Sequence, residues 1–284
     1  MMTINWYPGH MKKTKELIQE NLKLIDVVVE LLDARIPVSS KNPQIDELLK
    51  GKLKIVVFNK FDLADPENLD SWIKYYKNKG IKSIPINCIT GEGVNRLVHE
   101  IKVSANPITE KLKAKGLKER AIRVMIVGIP NVGKSSLINK LAGKKTAKIG
   151  NKPGVTRGKQ WIRIRKGLEL FDTPGILWPR IESAETGKNL AYVGSIRDEI
   201  LDIEEIALSF VGFVMKNYPK LLTKRYDVAM GDKEPLEVLN DIAIRRGCLT
   251  KGNEIDYNKI SNILLDEYRN GKIGKISLEW PDVE

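Results

Sequence analysis

Residues Gly128-Ile129-Pro130-Asn131-Val132-Gly133-Lys134-Ser135 carry the densest chemistry in the chain. They fit G-x-x-x-x-G-K-[ST], in which glycines let a loop wrap closely around an anion. Backbone N–H groups and the N-terminus of a following helix then face phosphate oxygens. Lys134 adds a point charge at the β and γ oxygens, and the Ser135 hydroxyl suits Mg²⁺. Pro130, Asn131, Val132, Gly133 and Ser136 complete the phosphate-facing set.

A second set concerns the base. Asn59-Lys60-Phe61-Asp62 fits N-K-x-D. A carboxylate at Asp62 can accept both the N1–H and the 2-amino hydrogens of guanine, whereas adenine offers an acceptor at N1. Asn59 can brace neighbouring loops, and the Lys60 stem can lie over the base. Asn87-Cys88-Ile89-Thr90-Gly91 follows a strand, where a backbone N–H can meet the guanine O6. Asp172-Thr173-Pro174-Gly175 fits D-x-x-G: Asp172 belongs to the Mg²⁺ shell, and the Gly175 N–H senses the γ-phosphate. Thr156, in Pro153-Gly154-Val155-Thr156, is placed to close over Mg²⁺ when that phosphate is present. Together these residues predict a site for GTP and GDP with Mg²⁺.

The elements that must position them are legible as well. Apolar runs at 27–33, 54–58, 84–87 and 122–127 read as strands. Helical patterns at 43–49, 66–79, 93–103 and 136–141 alternate with them, so a doubly wound, mostly parallel sheet is expected. Residues 160–165 and 168–171 pair as a hairpin. The stretch 104–121, with Pro107 and several lysines, is compatible with either a helix or a flexible connector. Strand-like runs disappear from about residue 183, and 200–218, 235–246 and 257–270 show helical spacing. The expected layout is a nucleotide-binding domain at 1–180, with a helical extension at about 1–25, followed by a small all-α domain at 181–284.

The 284 residues carry a net charge of +12 that is unevenly spread. Residues 1–180 hold 34 basic against 17 acidic side chains, and the remainder 14 against 19. A basic half of that size points to a polyanionic partner. Ten Lys or Arg and no acidic residue fall between Lys140 and Lys166, around Thr156. Lys144, Lys145, Lys148, Arg157 and Lys159 in this run, with Arg245 and Arg246 in the helical part, are candidate RNA contacts. Two cysteines, far apart, suggest a reducing compartment rather than a disulfide framework. No signal peptide or membrane-length apolar run is present, so a cytoplasmic protein with no membrane role is expected.

The motif order is unusual. N-K-x-D and the base loop precede the phosphate loop, whereas they usually follow it. That order is a circular permutation, tolerable because a site depends on spatial neighbours. With Trp6-Tyr7-Pro8-Gly9-His10-Met11, Arg245-Arg246-Gly247 and Gly271-Lys272-Ile273-Gly274, the chain strongly resembles the circularly permuted GTPases of the ribosome biogenesis GTPase A (YlqF) family. The resemblance implies a circularly permuted P-loop GTPase domain followed by a helical domain that contacts RNA or the ribosome. It implies a bacterial cytoplasmic enzyme acting late in assembly of the large ribosomal subunit, bound to rRNA and monomeric away from the ribosome. Ile176 stands where Ras-like enzymes carry a water-orienting Gln, so hydrolysis should be slow alone and stimulated by ribosomal particles. The resemblance makes His10 the candidate catalytic residue and gives Asn131 a role in holding K⁺. The competing reading is a GTPase switch that recruits a protein partner, with no ribosomal role.

Overall fold

The computed structural model describes residues 16, 18–117, 120–143, 160–164, 167–172, 181 and 183–282. β1 (Val27–Asp33) is buried along its whole length. A strand covered on both faces is near-continuously apolar, which is how this one reads. β2 (Lys54–Asn59) and β3 (Lys82–Ile86) extend the sheet on one side of it. β4 (Ile122–Val127), β6 (Leu168–Asp172) and β5 (Gln160–Ile164) extend it on the other. The order is β3-β2-β1-β4-β6-β5, parallel except for the β5–β6 pair. The chain thus moves outward from β1 to β3 and returns to β4 on β1's other flank. Ligands of open parallel sheets bind beyond the strands' carboxyl ends at such a reversal.

Each helix that frames this edge starts from a local signal. α1 (Pro43–Leu48) is capped by Asn42, whose side chain accepts from the N–H of Gln44 and Ile45. α2 (Pro66–Asn78) is capped by Asp65, which accepts from Glu67 and Asn68. Caps of this kind contribute about 1 kcal/mol. α2 lays Leu69, Trp72 and Tyr76 against Leu32, Val56 and Phe58 of the sheet. α3 (Val94–Ala114) takes up most of the stretch whose local sequence left helix and connector open, running through Pro107. Its buried stripe of Val94, Leu97, Val98, Ile101 and Ala105 anchors the helix before the proline. α4 (Lys134–Ala142) begins directly after Gly133.

Residues Gly187–Ile276 form a separate helical unit. α5 (Ala184–Tyr192) leads into it, followed by α6 (Ile203–Asn217), α7 (Pro219–Tyr226), α8 (Pro235–Arg245) and α9 (Tyr257–Arg269). Phe210 of α6 packs against Tyr268 and Tyr192, with ring centroids 4.6 and 5.2 Å apart. Arg269 closes this unit by donating to the carbonyls of Ala191 and Tyr192 and pairing with Asp198. The chain then leaves the helical unit. Ser277–Glu284 groups with the first unit, although the sequence places it with the helices. The reason is a set of polar contacts: Leu278 N–H donates to Arg35 O, and Glu279 accepts from residues 38, 39, 68 and 72. No helix among the described residues is long and apolar enough to cross a membrane.

Candidate functional site

Four loops meet at the carboxyl edge of the sheet. The first joins β4 to α4. Gly128 has φ 159° and Gly133 φ 106°. A Cβ on Gly133 would lie 2.3 Å from Asn59 Nδ2, and one on Gly128 would lie 2.6 Å from Leu31 O. Only glycine fits at Gly133, because a side chain there meets both the left-handed backbone and its neighbour. Asn131 is also left-handed, at φ 58°, a conformation asparagine tolerates better than most residues. Lys134 is buried, and its ammonium donates to Gly128 O at 2.9 Å and Ile129 O at 2.7 Å. The loop's side-chain cation is therefore held at the mouth of its own ring. Ser135 and Ser136 occupy the first turn of α4 and are half-buried.

The second loop follows β2. Asn59 ends the strand, Lys60 is left-handed at φ 58°, and Phe61–Leu63 forms a 3-10 turn. The Asn59 carboxamide joins two other loops: Nδ2 donates to Val132 O at 2.7 Å, and Oδ1 accepts from Cys88 N–H at 3.1 Å. Asp62 Oδ1 lies inside the protein with no hydrogen-bond partner among the described residues. An unpaired buried carboxylate oxygen is costly unless a ligand completes it.

The third loop, after β3, is closed on itself. Asn87 Oδ1 accepts from the N–H of Ile89 at 2.8 Å and of Thr90 at 3.0 Å. Cys88 N–H, in the loop expected to face a base, donates to Asn59 Oδ1. Lys140 of α4 donates to Ile89 O at 3.0 Å, a second brace between this loop and the phosphate loop's helix. Burial pushes the Cys88 thiol up to about 12, opposed only in part by Lys60 and Lys140.

The fourth loop, after β1, holds a group that the motifs did not point to. The Asp33 carboxylate accepts a fork from Arg35, with Nε and a terminal nitrogen each at 2.9 Å, and pairs with Lys60 Nζ at 2.9 Å. Burial alone would raise the Asp33 carboxyl, but Arg35 and Lys60 outweigh it and hold it well below the usual carboxylate range. Burial in turn lowers the Lys60 pKa, an effect Asp33 only partly offsets. The Lys60 ammonium is thus anchored to β1, with its stem left as the part that can meet a ligand. The available sequence signal was an acidic residue ending a strand beside N-K-x-D, two positions before an arginine.

β6 ends at Asp172, which is paired in register with Ile126 of β4 and so lies on the same edge; its side chain is outside the described residues. His10, Thr156, Gly175, Lys144, Lys145, Lys148, Arg157 and Lys159 also lie outside them. In the helical unit Arg245 is exposed and pairs with exposed Asp227 at 3.3 Å. Arg246 is engaged differently. It pairs with Glu267, which also takes Arg225 and the Tyr226 hydroxyl, and it stacks over the Tyr226 ring.

Such a fold and site define a circularly permuted P-loop protein with a guanine-type base loop. Comparison with known proteins agrees. Residues 123–241 match the family model described as 50S ribosome-binding GTPase. That match starts at β4 and excludes Asn59–Asp62, as a permuted order requires. The chain is 48% identical to Ribosome biogenesis GTPase A of Bacillus cereus, over 99% of this chain and 95% of that protein. It is 33% identical to the Thermotoga maritima protein of the same name, over 98% and 95%. The solved structure of GNP-bound YlqF from T. maritima superposes with a TM-score of 0.66 at 29% identity, covering 96% of this chain and all of that one. The chain belongs to the ribosome biogenesis GTPase A family and is a GTPase.

Proposed function

We propose that this GTPase assists a late step in assembly of the large ribosomal subunit, binding immature particles through rRNA and hydrolysing GTP there. The observation that carries the nucleotide assignment is the Asn59 brace, which ties the start of the Asp62 loop to the phosphate loop and the base loop. Guanine supplies donors to the Asp62 carboxylate. In this reading a base O6 shares the Cys88 N–H with Asn59, and the Lys60 stem covers the ring. The loop from Pro130 to Ser136 faces the phosphates, with Lys134 exchanging its carbonyl partners for phosphate oxygens.

Mg²⁺, when bound, neutralises charge on the β and γ oxygens. Ser135, Thr156 and Asp172 offer hydroxyl and carboxylate oxygens, the hard donors that Mg²⁺ selects. Asn131 is the residue for K⁺, and Gly175 the sensor of the γ-phosphate. With Ile176 at the water-orienting position, His10 takes that role once a particle has ordered the switch. Lys144, Lys145, Lys148, Arg157 and Lys159 meet RNA phosphates. In the helical unit Arg245, exposed and paired with exposed Asp227, suits such a contact better than Arg246, which is half-buried against Glu267 and the Tyr226 ring. We assign RNA contact to that unit on this basis, and a cytoplasmic, monomeric protein away from the ribosome.

Asp62→Asn tests the base site. An amide cannot accept both guanine hydrogens, so GTP binding should weaken and preference should shift towards xanthosine triphosphate. Unchanged affinity and selectivity in competition titrations would remove Asp62 from the base.

A further inference from the structure

The loop that carries Asp62 leaves the sheet through a left-handed Lys60 and a single 3-10 turn. Two neighbouring segments flank it: residues 33–40 after β1, and the start of α2 from Asp65. Both are tied to the same short piece of the C-terminus. Leu278 N–H donates to Arg35 O at 2.9 Å. Ser277 Oγ accepts from Asp65 N–H at 3.1 Å. The Glu279 carboxylate accepts from the N–H of Val38 at 2.6 Å, from that of Ser39 at 2.9 Å and from the Ser39 hydroxyl. Its carbonyl accepts from Asn68 Nδ2 at 2.9 Å and from the indole N–H of buried Trp72 at 3.2 Å.

Glu279 therefore grips the β1 loop with its side chain and α2 with its backbone. Ser277 and Leu278 are buried beneath it, at 0% and 2% exposure. A segment that only filled a gap in the core would present apolar side chains. Of these three residues only Leu278 is apolar, and the rest of the attachment is directed hydrogen bonding. It bears on Arg35, which pairs with Asp33, the residue that holds Lys60. The strap follows Ile276, the last residue of the helical unit, by one peptide bond.

We propose that Ser277, Leu278 and Glu279 are positioning residues for guanine recognition, holding the Asp62 loop in the geometry that reads the 2-amino group. The inference rests on the base-site reading above. With the strap loosened, guanine nucleotides leave faster and discrimination against a base without a 2-amino group falls.

The test uses the full chain. Release of a fluorescent GDP analogue, the affinity ratio of GDP to inosine diphosphate, and the melting temperature are measured for wild type, Glu279→Ala, Glu279→Gln, Ser277→Ala and Asp62→Asn. Glu279→Ala should speed GDP release about fivefold and reduce the GDP preference by a similar factor, the scale of one lost net hydrogen bond. Glu279→Gln, which keeps one acceptor oxygen, should fall between Glu279→Ala and wild type. Ser277→Ala should move both quantities the same way and less, and it carries the test if Glu279→Ala does not fold. A lowered melting temperature with wild-type release and wild-type discrimination in the strap variants would overturn the proposal. Asp62→Asn separates the two levels. If it shifts guanine preference while the strap variants do not, only the strap proposal fails. If it shifts nothing, the base site fails and the strap proposal falls with it.

Discussion

Asn59→Ala removes a side chain that joins the phosphate loop, the base loop and the end of β2. Its two hydrogen bonds, to Val132 O and from Cys88 N–H, lie in a pocket where Asn59 is 3% exposed. Losing them, with two backbone groups left unpaired, should cost about 2 to 4 kcal/mol. Part of that is global stability and part is the relative placement of two ligand-facing loops. If half reaches binding, the GDP dissociation constant rises about 5- to 30-fold. Calorimetric GDP titration gives the binding share, and thermal melts without nucleotide give the rest. Asn59→Asp sharpens the test: it keeps the acceptor for Cys88 but sets a carboxylate oxygen against Val132 O, so it should bind no better than alanine. Gly133→Ala approaches the same site from the other side, its Cβ 2.3 Å from Asn59 Nδ2. Substitutions that share a contact are not additive, and Gly133→Ala should be milder in the Asn59→Ala background. A variant that melts lower yet binds GDP as wild type does would reduce Asn59 to a fold-stabilising residue.

Lys134→Ala should weaken GTP binding or hydrolysis sharply, since no other side-chain cation lies in the loop from Gly128 to Ser135; turnover at the wild-type rate would move the phosphates elsewhere. Asp33, held below the usual carboxylate range, contributes stability that is present above its unfolded value of about 3.9 and lost as pH falls towards its folded value. Urea melts between about pH 3 and about pH 6 should therefore show a shallower acid slope for Asp33→Asn; equal slopes would contradict the linkage. Cys88, buried and with its thiol pushed up to about 12, should resist alkylation at about pH 8 until the protein is unfolded. Rapid labelling of the native protein at that cysteine would show that the base loop opens.

What the sequence revealed, and what it hid, follows from the range of the forces involved. The strands and their order of chemistry were legible because each motif sits where an apolar run stops, and a parallel sheet gathers those stops on one edge. Asn59, Asp62 and Lys134 could be read from neighbours within a few positions. α3 could not be followed past residue 103, because Pro107 breaks the local pattern, while the buried stripe that holds the helix lies before it. α7 was missed for a related reason: it spans Pro219–Tyr226, and among those eight residues only Leu222 and Tyr226 are buried. Arg246 illustrates a different gap: beside Arg245 in sequence, it is engaged by Glu267, 21 positions away. The strap lies at the far end of this scale. Ser277-Leu278-Glu279 has no periodicity and no turn signal, and its donors are 207 to 241 positions distant. Directed bonds between polar groups leave no composition or spacing for a sequence reader to find. They are also the bonds whose loss a polar substitution exposes most sharply, because the buried donors of Ser39 and Trp72 have no water to turn to.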